Sequence, residues 1–376
     1  MKKVLIYDAR AKKTFGGGSS KSLYLLLKNR KNEDVEYYFL TNQINKCYYE
    51  NTIKKLGVKE FYFKFPSKLL IYGGKYAKGL LKQALLFVFV LLPFNFKFAN
   101  VLKNQKIDLV ICNEGRAVLT IGFGAKLAKT AIISFIRGDY GIGGKFSKLT
   151  MFMSKKVICV SEGIYDLLME NEKRKAIVIH NGIEIEDFSE NKVHEDEIIR
   201  IGNVASVVPY KGAIDLLKAI NLIVKHNKNI KVYFIGNISD KLYYKKLQEF
   251  IYEKKLQNYI EFTGETDDVH EYLKHMDIYV QPSYNEGLPR VILEAYLHEL
   301  PVIASDIPGN RSIVIDGING LLYKKGEYVQ LAEKIDMLIK SPEYRDKYGK
   351  NGKHIIVKEH NIKNSVEKFE ELIFQL

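Results

Sequence analysis

No part of this chain holds the roughly eighteen or more consecutive apolar residues that a membrane-spanning helix needs. No signal-peptide pattern precedes the first strand-like run, so the chain is expected in the cytoplasm. Cysteine is scarce, with three in 376 residues. Cys112 and Cys159 fall inside strand-like runs, 110–112 and 158–160, where a core thiol is the plain reading. The spacing of the three fits neither a disulfide framework nor a metal-binding cluster. Negative charge is short in the first half. Residues 1–180 hold 32 Lys and Arg against 13 Asp and Glu, a balance of +19, whereas residues 181–376 hold 26 against 31, a balance of −5. A basic half suits an anionic partner: nucleic acid, a membrane surface or a phosphorylated substrate. Taken alone, the charge fits a solvated lysine-rich surface equally well.

What the chain does have is periodic structure. Apolar residues make up 47% of it, and 376 residues are comfortable for two α/β domains. A strand-like run at 3–7 leads into a Gly-rich loop, 14–20, and a helix at 23–29 behind a serine cap. Strand-like runs recur at 37–40, 109–113, 131–136 and 156–160, with helical stretches between most of them. An acidic segment, 181–197, reads as a linker, after which the alternation restarts at 198 and ends in an amphipathic tail, 362–374. The expected fold is α/β: two tandem doubly wound Rossmann-like domains facing a central cleft, covering 1–185 and 198–355. The run 84–92 is continuously apolar beside Lys68, Lys75, Lys78, Lys82 and Lys97. It suits either a buried core helix or a helix lying on an anionic membrane surface.

Three constellations carry chemistry. Gly16, Gly17 and Gly18 lie between the first strand and helix, where glycine lets the backbone approach a phosphate or sugar. Lys21-Ser22 completes part of a P-loop, but Phe15 and Ser20 stand where that motif needs glycine. In the second half, the loop 202–212 opens a helix, and Lys211 at its end suits a diphosphate, although by itself an exposed loop lysine is the plainer reading. Finally, Glu286 and Glu294 bracket a Gly-Leu-Pro turn, with Glu294 about five residues into an apolar helix and roughly 10 Å along from Glu286. A carboxylate on a buried helix face needs a partner. The pair fits two grips on one extended ligand; it also raises glycoside hydrolysis, where two carboxylates stand about 5–9.5 Å apart. His270 and His275 are five apart, so they miss the i, i+4 spacing of a zinc helix. Arg137-Gly138-Asp139 follows a strand, where Arg137 suits an anion and Asp139 could orient it or act on an acceptor hydroxyl.

In order, Gly16-Gly17, the runs 157–161 and 177–183, Lys211-Gly212, Phe262-Thr263-Gly264, the run 281–289, Glu294-Ala295 and Pro301-Val302-Ile303-Ala304 resemble a retaining glycosyltransferase of the GT4 type with the GT-B fold. The resemblance implies a sugar transfer from a nucleoside-diphosphate donor, UDP- or GDP-linked, to a hydroxyl of a glycan or lipid-linked acceptor in cell-surface polysaccharide synthesis, with neither metal nor other cofactor. Glu286 with Gly287 and Leu288 would hold the donor sugar, Glu294 the ribose and Lys211 the diphosphate. Gly16 and Gly17 would approach the donor phosphate and acceptor, while Asn203 and Ser206 complete the donor-binding set. Arg137 and Asp139 are the catalytic-side candidates of the first domain, and the tail, 356–376, would cross back onto that domain. Three positions depart from the pattern. Asn203 stands for the usual Arg, Arg137-Gly138-Asp139 for a usual His, and Glu299 for a usual Gly. The partners implied are the sugar nucleotide, the acceptor and an anionic membrane on its inner face, without nucleic acid. The alternatives are a nucleotide-sugar epimerase or hydrolase on the same fold, and a carbohydrate-binding relic without turnover.

Overall fold

The computed structural model describes residues 1–9, 18–70, 85–138, 142–185, 196–266 and 268–376. The chain forms two compact units. One comprises Met1–Gly182 together with Ile362–Leu376, the other Ile183–Asn361.

Among the described residues, the first unit carries seven strands: β1 (Lys2–Tyr7), β2 (Val35–Thr41), β3 (Lys59–Tyr62), β4 (Leu109–Cys112), β5 (Ala131–Ile136), β6 (Lys156–Cys159) and β7 (Ala176–Val178). They pair in parallel in the order β3-β2-β1-β4-β5-β6-β7. β1 and β4 are central, and their apolar residues are buried because helices cover both faces of a parallel sheet. The helix Ile362–Phe374 belongs to this unit. Ile362, Val366, Phe369 and Ile373 recur at helical spacing and are buried, with Phe369 6.2 Å from Phe135 between ring centres. Glu370 fixes one end of it, accepting the backbone N–H groups of Lys31 at 2.8 Å and Asn32 at 3.0 Å.

The second unit repeats the plan with six described strands: β8 (Ile199–Val204), β9 (Ile230–Ile235), β10 (Ile260–Gly264), β11 (Ile278–Gln281), β12 (Val302–Ser305) and β13 (Gly320–Tyr323). Their order is β10-β9-β8-β11-β12-β13, all parallel. In each sheet the order reverses next to the first strand, at β1/β4 and at β8/β11. Loops leaving the carboxyl ends of two such strands diverge there and leave room for a ligand. The architecture is therefore the expected one, two Rossmann-like domains in tandem.

Two local expectations change. The first helix runs from Gly18 to Lys28, five residues earlier than its apolar spacing implies. Its serines do not cap it: Ser22 Oγ donates to the carbonyl of Gly18 at 2.8 Å, and Ser20 Oγ donates to Asp8 at 2.6 Å. The apolar run beginning at 84 is not a core helix over its described part. Leu85, Phe87, Val88 and Phe89 are exposed, Phe89 to 71%. Neighbouring rings touch only part of it, with Phe87 6.5 Å from Phe123. Among the described residues, no helix is long and apolar enough to cross a membrane.

Candidate active site

The two loops at the β8/β11 switch point meet face to face. After β8 the chain makes a short turn, Pro209–Lys211, and Gly212 takes a left-handed conformation, φ +74°, before the helix Ala213–Ile223. A Cβ on Gly212 would lie 1.9 Å from the carbonyl oxygen of Pro282, so glycine is required twice over. Tyr284 ties the loops together: its N–H donates to the Tyr210 carbonyl at 2.8 Å and its hydroxyl to Asp215 at 2.7 Å. Burial pushes the Asp215 carboxyl above its usual range, and the Tyr284 hydrogen bond works against that shift. From the other side Gly309 lets a short helix close up, since a Cβ there would stand 2.4 Å from the Glu286 carbonyl oxygen.

This framework brings Lys211 and Glu286 together, with Nζ 2.6 Å from Oε1 and both side chains largely buried. The same oxygen accepts Nε2 of Gln281 and Oγ of Ser283, each at 2.7 Å. Three donors, one of them charged, hold Glu286 as an oriented carboxylate. Tyr279 donates in turn to Oε1 of Gln281. Burial raises the Tyr279 phenol well above its ordinary range, with the Glu286 carboxylate adding to the shift. Sequence reasoning missed Gln281 and Ser283. Their signal is the period of two through 279, 281 and 283, which puts alternate side chains of an extended chain on one side.

Gly287 and Leu288 are buried between Glu286 and the helix Arg290–Leu297, whose fifth residue is Glu294. The partner that a buried carboxylate demands is Arg290, one turn back, with Nη2 3.2 Å from Glu294 Oε1. The buried side chain of Asn203 donates to the Val280 carbonyl at 2.8 Å and bridges β8 to β11 beneath the loop. Ser206 is half-buried in the loop after β8. His270 meets His298, with 2.9 Å between ring nitrogens. Glu299, where the resembling pattern has glycine, has φ +53° and an ion pair to Lys353 at 2.9 Å. Left-handed backbone costs a non-glycine residue about 1–2 kcal/mol. The exposed part of that pair returns less, about 0–1 kcal/mol. Glu299→Gly should therefore raise unfolding free energy by up to about 1 kcal/mol, read as a higher urea midpoint at unchanged slope.

In the first unit, the β1/β4 switch point holds a hydrogen-bonded chain. Asp8 accepts Ser20 Oγ at 2.6 Å and Asn113 Nδ2 at 3.0 Å. Asn113 Oδ1 accepts the guanidinium of Arg137, which also donates to Asn181 Oδ1 at 2.6 Å and stacks 4.1 Å from the Phe135 ring centre. Arg137 is thus a cation fixed at the end of β5. Gly16, Gly17 and Asp139 lie outside the described residues.

Residues 183–355 match the family described as Glycosyl transferases group 1. Over that stretch the chain is similar to group 1 glycosyltransferases. That match nearly coincides with the second unit and contains Lys211, Glu286 and Glu294. The chain is 36% identical over 220 residues to an uncharacterized glycosyltransferase of Methanocaldococcus jannaschii, covering 58% of each. It is 28% identical over 222 residues to the capsular polysaccharide biosynthesis glycosyltransferase CapM of Staphylococcus aureus, covering 55% of this chain and 58% of CapM. The chain thus spans 58% of the length of each of these curated relatives. In structure it is similar over the full length of both chains to Anabaena HepE in complex with UDP and glucose, with a TM-score of 0.79 at 19% identity. At that identity the likeness establishes the fold, which is GT-B.

Proposed function

We propose that this chain is a retaining, metal-independent glycosyltransferase. It moves a sugar from a nucleoside-diphosphate donor to a hydroxyl of a glycan or lipid-linked acceptor in cell-surface polysaccharide synthesis. The observation that carries the reading is the Lys211–Glu286 pair, 2.6 Å long, held at the β8/β11 switch point. The bound UDP and glucose of HepE and the capsule role in the name of CapM support the donor and pathway assignments.

In this reading Glu286 accepts hydroxyls of the donor sugar, beside the backbone of Gly287 and Leu288, and Glu294 takes the ribose. Lys211 balances the leaving diphosphate. Gln281 and Ser283 keep Glu286 in place when the lysine turns its charge to the phosphate. The bond from the anomeric carbon to the diphosphate oxygen breaks and a bond to the acceptor oxygen forms on the same face. The acceptor proton leaves with the diphosphate. The protein contributes position and compensating charge, so no strong base is required. Arg137, Asp139, Gly16 and Gly17 act from the first unit, and Asn203 and Ser206 shape the donor loop.

Melting the protein in the presence of UDP-, GDP-, ADP- and CMP-sugars tests the reading. One diphosphate class should stabilise it by about 2.7 kcal/mol at a hundredfold excess over Kd. If none of the four raises the melting temperature, the proposal fails. The setting is cytoplasmic and peripheral, on the inner face of the membrane. The exposed Phe87, Val88, Phe89 and Phe96, beside exposed Lys97, support that placement. Vesicles rich in phosphatidylglycerol should pull the protein into the floating fraction at low salt, and Phe89→Glu should leave it below. Equal flotation of the two proteins contradicts this surface.

A further inference from the structure

Asp215 is a buried charge to which the proposed transfer gives no part. It stands third in the helix Ala213–Ile223 and is 3% exposed. Among the described residues it has no ion pair, and the charge of Lys218, one turn on along the same helix, is the weakest influence on it. Phenols approach it from three other elements. Tyr284, in the loop after β11, donates to it at 2.7 Å. Tyr243, from the helix Lys241–Glu253, accepts the N–H of Ile214 at 3.2 Å. Tyr323 of β13 is buried, and its hydroxyl has no hydrogen-bond partner among the described residues. Burial and then the Asp215 charge raise the phenols of Tyr284 and Tyr323 above their ordinary range, so both stay protonated.

Burial also raises the Asp215 carboxyl, so ionising it at neutral pH costs stability. An asparagine would fill the same space and still accept a hydrogen bond. What the carboxylate adds is a firmer grip on the Tyr284 hydroxyl, since a charge-assisted hydrogen bond is roughly twice as strong as a neutral one. The backbone N–H of Tyr284 donates in turn to the Tyr210 carbonyl at 2.8 Å. Residues 210–215 are thereby closed into a ring of chain with Tyr284 across its mouth, and Lys211 lies within that ring. Gly212 is pressed against Pro282, which belongs to the same loop as Tyr284. While the ring is shut, the Lys211 backbone has little room to move.

We propose that Asp215 is a positioning residue: through Tyr284 it shuts the turn that carries Lys211 and so sets the ammonium for a diphosphate. The proposal rests on the assignment of Lys211 to the donor diphosphate, and binding tests it without sugar transfer. Calorimetry of the full chain with UDP, GDP, ADP and CDP finds the nucleoside diphosphate that the parent binds. Asp215→Asn should bind it about tenfold more weakly, yet show a urea midpoint at pH 7 equal to or above the parent's. The sign is decisive, because removing a negative charge beside an anion site tightens binding by Coulomb's law alone. Tyr284→Phe keeps the ring without the hydroxyl; it should lose about as much, and the double variant no more than the weaker single one. In a Lys211→Ala background, Asp215→Asn should change affinity little. A raised carboxyl favours the folded state at low pH and loses that favour as pH rises through its shifted value. The gap between parent and Asp215→Asn should therefore close as pH falls, in affinity and in urea midpoint.

Unchanged or tighter binding by Asp215→Asn overturns the proposal, as does a full tenfold loss in the Lys211→Ala background. A urea midpoint for Asp215→Asn well below the parent's also overturns it, since the carboxylate is then plain support for the fold. The expected losses of binding in a protein that transfers sugar to no acceptor reject the transferase reading and keep this one. Transfer by the parent with unaltered binding by Asp215→Asn rejects this one alone. If none of the four diphosphates binds the parent, both fall.

Discussion

Lys211→Ala should lower kcat/KM for the sugar nucleotide by about 10²–10³-fold, the cost of removing one group that stabilises developing charge. Lys211 stands at a loop–helix junction, 2.6 Å from Glu286, with the Gly212–Pro282 approach fixing its backbone. The ammonium is the charged member of the three donors on Glu286 Oε1. On the proposed function, its loss removes compensation for the leaving diphosphate and one restraint on the carboxylate assigned to the donor sugar. The larger share should fall on kcat, because charge on the diphosphate grows as the glycosidic bond breaks. Lys211→Arg keeps the charge in a wider, planar head and should recover only part of the activity. Initial-rate kinetics with the donor found by melting check this, and a loss under tenfold for Lys211→Ala removes the lysine from the mechanism.

Arg290→Ala should destabilise the second unit by about 3–5 kcal/mol, the usual cost of removing one partner of a buried ion pair. The side chains of Arg290 and Glu294 are 6% and 4% exposed. Arginine at the first position of a helix sits at the positive end of the dipole, where a cation is disfavoured. The pair is therefore a poor device for stability, and two leucines in its place should restore most of what the single replacement loses. What it does is fix the position of a carboxylate on an apolar helix face. The Arg290→Leu, Glu294→Leu double variant should then be folded but bind the nucleotide weakly. Urea unfolding reads the first effect and donor melting shifts the second. A midpoint for Arg290→Ala within about 1 kcal/mol of the parent shows that the pair is relaxed by solvent.

The central strands were legible because they are buried on both faces and read as short apolar runs. β5 lies at 131–136 in both readings, and β4, expected over 109–113, is Leu109–Cys112. The edge strands of the first sheet were not. β3, Lys-Glu-Phe-Tyr, buries one residue of four, and β7 is three half-buried residues. Pairing with β2 and β6 makes them strands, and pairing is invisible to local composition. The first helix was misplaced because its opening turn is serine and glycine, and Ser20 bonds to Asp8 across the fold. The run at 84–92 looked like core because apolar residues next to one another carry no mark of what covers them.

By itself the sequence determined the two α/β halves and the basic first half, and it offered Lys211, Glu286 and Glu294 as candidates. Each follows from spacing along the chain, from turn-forming residues or from charge count. Only the tertiary structure decided that Lys211 meets Glu286 rather than solvent, that Gln281 and Ser283 share its carboxylate, and that Asn203 spends its amide on the sheet. It also decided that Arg290 answers Glu294 and that Asp215 meets Tyr284. Lys211 and Glu286 are 75 positions apart, and contact between them exists only because β8 and β11 became neighbours. Strand order is a long-range choice made by the whole sheet, and no local window of sequence contains it.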